Sequence, residues 1–318
     1  MRAPNNPIVD SASSQPYHVP VMLEECLDGL NIRKDGVYID VTFGGGGHSR
    51  AILEKLETGK LIAFDQDPDA VQNARELEGD PRFLLIQANF RYIRRYLKIY
   101  RIEAVDGILA DLGVSSHQID DASRGFSTRY DGPLDMRMNP DGDSFSAWDV
   151  VNTYSAEELQ TVLGRYGEVH NARTVAQAIY ANRHNAPIET GRDLTDLLKR
   201  FAPRFKEFKY YAQVFQALRI EVNKELEALE DFLYQVPDVL KPNGRLVVMS
   251  YHSLEDRLVK NFIQKGDFSG EPKKDFYGNV IKPLTAINRK PIEAGEAEVA
   301  QNPRARSAKL RIAEKTPE

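Results

Sequence analysis

Four short runs of β-forming residues recur between helix-like segments, and this alternation constrains the fold more than any other feature. The runs are Val37–Phe43, Leu61–Asp65, Phe83–Gln87 and Asp106–Asp111. Between them lie Ser49–Leu56, a segment opening at Asp67-Pro68, and Tyr92–Tyr100. Asp followed by Pro is an N-cap and then a residue suited to the first helical position. Strands alternating with helices predict a parallel sheet built from right-handed βαβ units. A further helix is expected from Pro20 to Leu30, ended by the turn Arg33-Lys34-Asp35-Gly36.

The alternation then stops. Residues 114–206 contain no convincing strand, and Asp149–Gly164, Ala172–Asn182 and Arg192–Phe201 read as helices. One long amphipathic helix is expected next, because Phe215, Leu218, Val222, Leu226, Leu229, Leu233, Val236 and Leu240 recur at spacings of three and four. Pro242-Asn243-Gly244 should end it. Arg245–Ser250 and Ser307–Ala313 read as the last two strands. The fold class is therefore α/β, a Rossmann-like sheet carrying an inserted all-α domain. The expected division is a polar tail at 1–16, a sheet domain of 17–113 and 207–318, and a helical insertion at 114–206.

The chain has 318 residues, about two domains' worth. With 42% hydrophobic residues it can bury a sizeable core. The net charge of -5 argues against a bulk polycationic nucleic-acid binder but leaves room for local basic patches. No signal-peptide pattern and no stretch of about 18 apolar residues is present, so no membrane span is expected and the default location is cytoplasmic. The single cysteine, Cys26, excludes an internal disulfide, a Cys-based zinc site and paired-thiol redox chemistry. The six histidines show no tight ligand spacing, so no metal is expected.

Gly44–Gly47 joins a strand to a helix. Glycines there let the backbone approach a ligand closely, and the free N–H groups of the helix attract an anion. The run does not continue as G-x-G-x-x-G/A, since Ser49 or Arg50 stands at the last position, and no Gly-Lys-Ser/Thr follows. Asp65 ends the second strand, where a carboxylate can accept from both hydroxyls of a ribose. A glycine turn with a strand-ending acid is shared by nicotinamide enzymes and S-adenosylmethionine (SAM) methyltransferases. The missing third glycine favours the second class. Taken by itself, Phe90 is either a flank for an adenine or core.

Longer blocks carry a resemblance. His18–Met22, YIDVTFGGGGH from Tyr38 to His48, DGILADLGVSSHQ from Asp106 to Gln118, Arg124–Ser127 and DGPLDMRM from Asp131 to Met138 resemble the RsmH/MraW family of bacterial rRNA methyltransferases. FQALRI at Phe215–Ile220, SYHSLEDR at Ser250–Arg257 and NPRARS at Asn302–Ser307 extend the likeness over most of the chain. The resemblance implies a SAM domain split by a helical insertion and methylation of N4 of a cytidine in the decoding region of 16S rRNA, with the small ribosomal subunit as partner. It places cofactor contacts at Gly46, Gly47, His48, Asp65, Phe90, Asp111 and Gln118. Gly45 and Lys209–Gln213 depart from the family pattern, the latter replacing a His-Pro-containing stretch.

Methyl transfer is an in-line displacement in which alignment is the protein's main task. Acceptors near the amine would hold it and stabilise the charge that develops. Asp111, at a strand's carboxyl end, is placed for this. No general base is assigned. Ser115 and Ser116 either line the base pocket or cap the next helix. Asp135 and Arg137 either order the insertion against the site or form a structural pair. His252 is either pocket-lining or structural. Methylation at carbon 5 of cytosine would need a thiolate, and Cys26 reads as core. Three basic clusters stand at 91–101, 199–209 and 304–311. The last two, with Arg200 and Arg204 at their head, are favoured as RNA-facing because they flank the domain junction. Two rivals remain: a non-catalytic SAM-sensing RNA-binding or assembly protein, and a nicotinamide oxidoreductase. A homodimer through the Tyr- and Arg-bearing helices is a further reading.

Overall fold

The β-runs are apolar at consecutive positions, so both faces of the sheet are apolar, and each is covered by helices. The computed structural model describes residues 20–142, 145–268, 272, 274–278 and 280–317; the expected tail and the His18-Val19 pair lie outside them. The first half comprises α1 (Leu23–Leu30), β1 (Val37–Asp40), α2 (Gly47–Lys55), β2 (Lys60–Asp65), α3 (Pro68–Ala74), β3 (Phe83–Gln87), α4 (Ile93–Ile99) and β4 (Val105–Asp111). The helical stretch holds α5 (Ser116–Asp120), α6 (Ala147–Thr153), α7 (Ala156–Gly167), α8 (Ala172–Arg183), α9 (Gly191–Leu198) and α10 (Glu207–Asn223). The chain ends with α11 (Glu225–Val239), β5 (Leu240–Ser250), α12 (Ser253–Lys265), β6 (Leu284–Ala286), α13 (Glu296–Gln301) and β7 (Lys309–Lys315).

The sheet runs β3-β2-β1-β4-β5-β7-β6, parallel except for β7, which is antiparallel to both neighbours. Ile62, Phe64, Leu246 and Val248 face α4, α11 and α12, while Leu61, Val247 and Met249 face α1 and α2. Cys26 is fully buried in that second layer, as its core reading expects. Strand order reverses between β1 and β4, and the carboxyl ends of strands at such a point form a ligand crevice.

Two expectations are corrected. The long helix is two helices, α10 and α11, because Lys224 adopts a left-handed backbone (φ 49) between them. Asn223 fixes the break: its amide donates to Met136 O and Arg219 O and accepts from Met138 N–H. Likewise Asp149–Gly164 divides into α6 and α7, since Ser155 and Glu158 form a capping box that starts a new helix. Tyr210, Val214, Phe215, Leu218 and Val222 of α10 share one core with α6–α9.

Candidate active site

The glycine turn leaves β1 at Asp40 and enters α2 at Gly47. Gly46 sits at φ 76, and a Cβ there would meet the Phe43 ring at 2.7 Å, so both conformation and space require glycine. The turn is tied to β2 by Asp65, whose Oδ2 accepts from Gly44 N–H at 2.7 Å and Oδ1 from Asp67 N–H at 2.9 Å. Burial pushes the Asp65 carboxyl up to about 6, outweighing those two bonds, and the charges of Asp67 and Asp40 add to the rise. Asp40 is itself fully buried, accepting from Ser49 Oγ at 2.7 Å and Thr42 N–H at 3.1 Å. Thr42 Oγ1 accepts from Asp111 N–H at 2.7 Å, which locks the turn against β4.

Asp111 ends β4 beside the turn. Its Oδ1 accepts from the Tyr251 hydroxyl at 2.8 Å, and its Oδ2 lies 3.7 Å from His48 Nδ1. His48 Nε2 is 3.1 Å from the Val21 carbonyl. A carbonyl only accepts, so Nε2 carries hydrogen and Nδ1 faces the carboxylate. Burial pushes the Asp111 carboxyl up to about 6 although His48 and Tyr251 pull it down. The Tyr251 hydroxyl is raised well above its ordinary value by burial and by Asp111. Two carboxyls with raised proton affinity thus stand at the carboxyl ends of β2 and β4, on either side of β1 and the glycine turn.

A second tier of contacts fixes the entrance to the helical body. Gln118 closes a capping box with Ser115 and donates to Asp67 Oδ2 at 2.6 Å. Arg124 is buried, pairs with Asp67 at 2.9 Å and Asp69 at 2.7 Å, and donates to the carbonyls of Arg137 and Met138. Arg137 grips Asp135 through two 2.8 Å bonds. Against the burial that would raise it, this contact holds the Asp135 carboxyl below its usual value. Ser116 Oγ is held by Arg304. Phe90 is half-buried, its ring edge-on to Phe232 at 5.4 Å. His252 faces Glu255: its Nε2 lies 3.2 Å from Glu255 Oε1. Ligand atoms of Glu225, His252 and Glu255 gather within 4.8 Å. The Arg219 guanidinium, bonded to both oxygens of Glu225 at 2.8 and 3.0 Å, already supplies a cation there.

The model of the MraW methylase family matches residues 15–316. A Cytophaga hutchinsonii protein named ribosomal RNA small subunit methyltransferase H is 59% identical over 94% of this chain and 99% of its own length. Proteins of the same name from Christiangramia forsetii (54% identical, 94% and 98% covered) and Amoebophilus asiaticus (55%, 95% and 97%) are similar. The chain belongs to the MraW methylase family.

In this MraW-family chain, Gly46, Gly47, His48, Asp65, Asp111 and Gln118 cluster around one strand edge. Asp40, Arg124 and Tyr251 belong to the same assembly and were not singled out from sequence. Tyr251 stands next to His252 in the SYHSLEDR block, and a residue list cannot say which of two neighbours points at Asp111. The basic clusters also separate. In 91–101, Arg91 pairs with Asp231 and Arg94 with Asp238. In 304–311, Arg304 pairs with Asp120, and Arg311, largely buried, with Asp256. Arg200 and Arg204 are exposed and have no carboxylate partner among the described residues.

Proposed function

We propose that this chain is a SAM-dependent methyltransferase acting on N4 of a cytidine in the decoding region of 16S rRNA. The observation that carries the reading is the match to the MraW methylase family over residues 15–316, with Asp65 and Asp111 standing on either side of the glycine turn at the reversal of strand order. The residues fit the cofactor. Asp65 ends β2 with acceptor oxygens for a ribose diol, and the first turn of α2 offers N–H groups to a carboxylate. Asp111, a quarter exposed, offers a carboxylate to an ammonium, and Phe90 stands just past β3 as a flank for a purine. Bound SAM supplies an electrophilic methyl group and a neutral leaving group.

The protein's own work is alignment. Thr42 and the Asp65 bonds hold the glycine turn in one place relative to β2 and β4, so a cofactor seated on it is fixed against Asp111. Tyr251 keeps the Asp111 carboxylate pointed at the crevice. The exposed part of that carboxylate accepts from an amine and stabilises positive charge as it develops. Arg124 ties the loop that leads into the helical body to the turn after β2. We place that body at 114–223, with Ser115, Ser116, Asp135 and Arg137 at its entrance and Arg200 and Arg204 on its outer surface as phosphate contacts. His252 acts by holding Glu255 and the start of α12. No helix is long and apolar enough to cross a membrane among the described residues. Action on ribosomal RNA supports a cytoplasmic location for the chain.

The test is incubation of the protein with methyl-labelled SAM and small-subunit RNA or particles, followed by digestion to nucleosides. Label in N4-methylcytidine is the expected result. Label at carbon 5 of cytosine, or SAM binding with no transfer, overturns the proposal.

A further inference from the structure

A tight turn precedes α10 and is closed by Lys206 N–H donating to Pro203 O at 3.1 Å. Its third residue, Phe205, has φ 62, a position that favours glycine or asparagine. A phenylalanine there is strained, and its ring gains nothing from burial, because the residue is 96% exposed. Three residues on, in the first turn of α10, Phe208 is 80% exposed, while its neighbour Tyr210 turns into the helical core. Arg204, Lys206 and Lys209 flank the two rings along the chain, and Lys199 and Arg200 lie a few residues upstream. None of the five has a carboxylate partner among the described residues. The single acid of the segment, Glu207, is occupied by the Phe205 backbone N–H at 3.2 Å. Arg200 already lies over the Phe201 ring, its guanidinium carbon 4.8 Å from the centroid.

Two solvated rings in one segment with five free cations, on a chain whose net charge is -5, match one kind of ligand. Phosphates complement the cations and unstacked bases complement the rings. A duplex hides its bases and would leave the rings unused. A second copy would bring the same cations face to face across a two-fold axis. Phe208 stands about 22 Å along α10 from Asn223, the residue that anchors the helix beside Met136 and Met138. We propose that Phe205 and Phe208, with Arg200, Arg204, Lys206 and Lys209, form a subsite that captures unpaired nucleotides of the RNA away from the methyl-transfer centre. It rests on the reading of the chain as an rRNA methyltransferase.

The experiment compares the full chain with Phe205→Gly/Phe208→Ser and Arg200→Glu/Arg204→Glu double variants. Phe205→Gly keeps the left-handed turn and removes the ring. The probes are single-stranded oligoadenylate and a blunt RNA duplex of equal length, with affinities read by fluorescence anisotropy. Loss of the rings should weaken oligoadenylate binding by about tenfold per ring and leave the duplex unchanged. Charge reversal should weaken both. Unchanged oligoadenylate affinity, or equal loss on both probes, overturns the subsite. So does a wild-type dimer that the ring variant dissolves, seen by sedimentation. Methyl transfer to small-subunit RNA is scored separately. If it is absent while the ring effect persists, the enzymatic reading falls and the subsite stands; if it proceeds without a ring effect, the reverse holds.

Discussion

Cofactor binding should depend on pH in a direction set by Asp65 and Asp111. Both carboxyls are pushed up to about 6, burial being the main cause. A ribose diol needs Asp65 as an ionised acceptor, and an ammonium needs Asp111 ionised. Ligand binding therefore favours the deprotonated forms. Above about pH 7 both are already ionised and no proton moves. Below 6 a proton must leave before the contact forms. For one carboxyl, affinity then falls about tenfold between pH 7.5 and pH 5; if both are engaged the loss approaches about a hundredfold. The cofactor's own α-amino group titrates near about 8, outside the window. Stability of the free protein should move the opposite way. Both groups have a folded value above the ordinary 3.8, so folding is favoured by their protonation. The contribution is complete below about 4 and is lost as pH rises through 6. The gap is worth at most about 3 kcal/mol per carboxyl, less for the partly solvated Asp111. Titration calorimetry in two buffers of different ionisation heat measures both affinity and proton release. Release should climb from near zero at about pH 7.5 towards one or two protons at about pH 5. Asp65→Asn should remove one of these steps. An affinity that is flat across the range, with no proton exchanged, would refute the assignment of the two carboxyls to the cofactor.

Tyr251→Phe removes the 2.8 Å bond that lowers the Asp111 proton affinity. The acid limb of the activity profile should shift to higher pH and kcat should fall about tenfold; an unmoved limb argues against a role through Asp111. Gly125→Ala meets a backbone carbonyl, with the new Cβ 2.1 Å from Pro133 O at φ 72. Urea unfolding should show a loss of about 2–4 kcal/mol, and a neutral result would contradict the close approach. Cys26→Ala should keep N4 methylation and cost about 1 kcal/mol of stability as a small core deletion. Inactivity in a folded Cys26→Ala protein would point to thiolate chemistry instead.

Much of the sheet was legible because its signal is local. Short continuous apolar runs mark β1 to β4 within a few positions, and the residue that ends a parallel strand lies at the carboxyl edge, which drew attention to Asp65 and Asp111 from the sequence. The break at Lys224 was not legible, since apolar spacing continues from Val222 to Leu226 across it and periodicity reports faces, not φ. The Ser155…Glu158 capping box is a sign of a new helix that is present in the sequence itself. β6 escaped because three residues on a sheet edge carry no period. Asp40 and Arg124 were invisible as site components for another reason. Their partners, Ser49 and Thr42 for one and Asp67, Asp69 and two carbonyls for the other, are brought together by tertiary structure. A buried charge identifies itself only once its surroundings are known.

The placement of β5 beside β4 sets the order in which the molecule can be assembled. Val105 pairs with Leu240, and the pairing resumes with Gly107 opposite Arg245, across the whole helical body. During synthesis, β1 to β4 emerge first, with the inner edge of β4 unpaired. At ribosomal rates the strand that covers that edge follows on the order of ten seconds later. In that interval α6 to α10 have all the residues of their shared core and can close around it. The half of the sheet from β3 to β4 is made before β5 exists, β6 and β7 follow β5, and the crevice at the end of β4 acquires Tyr251 only after the helical body has been made.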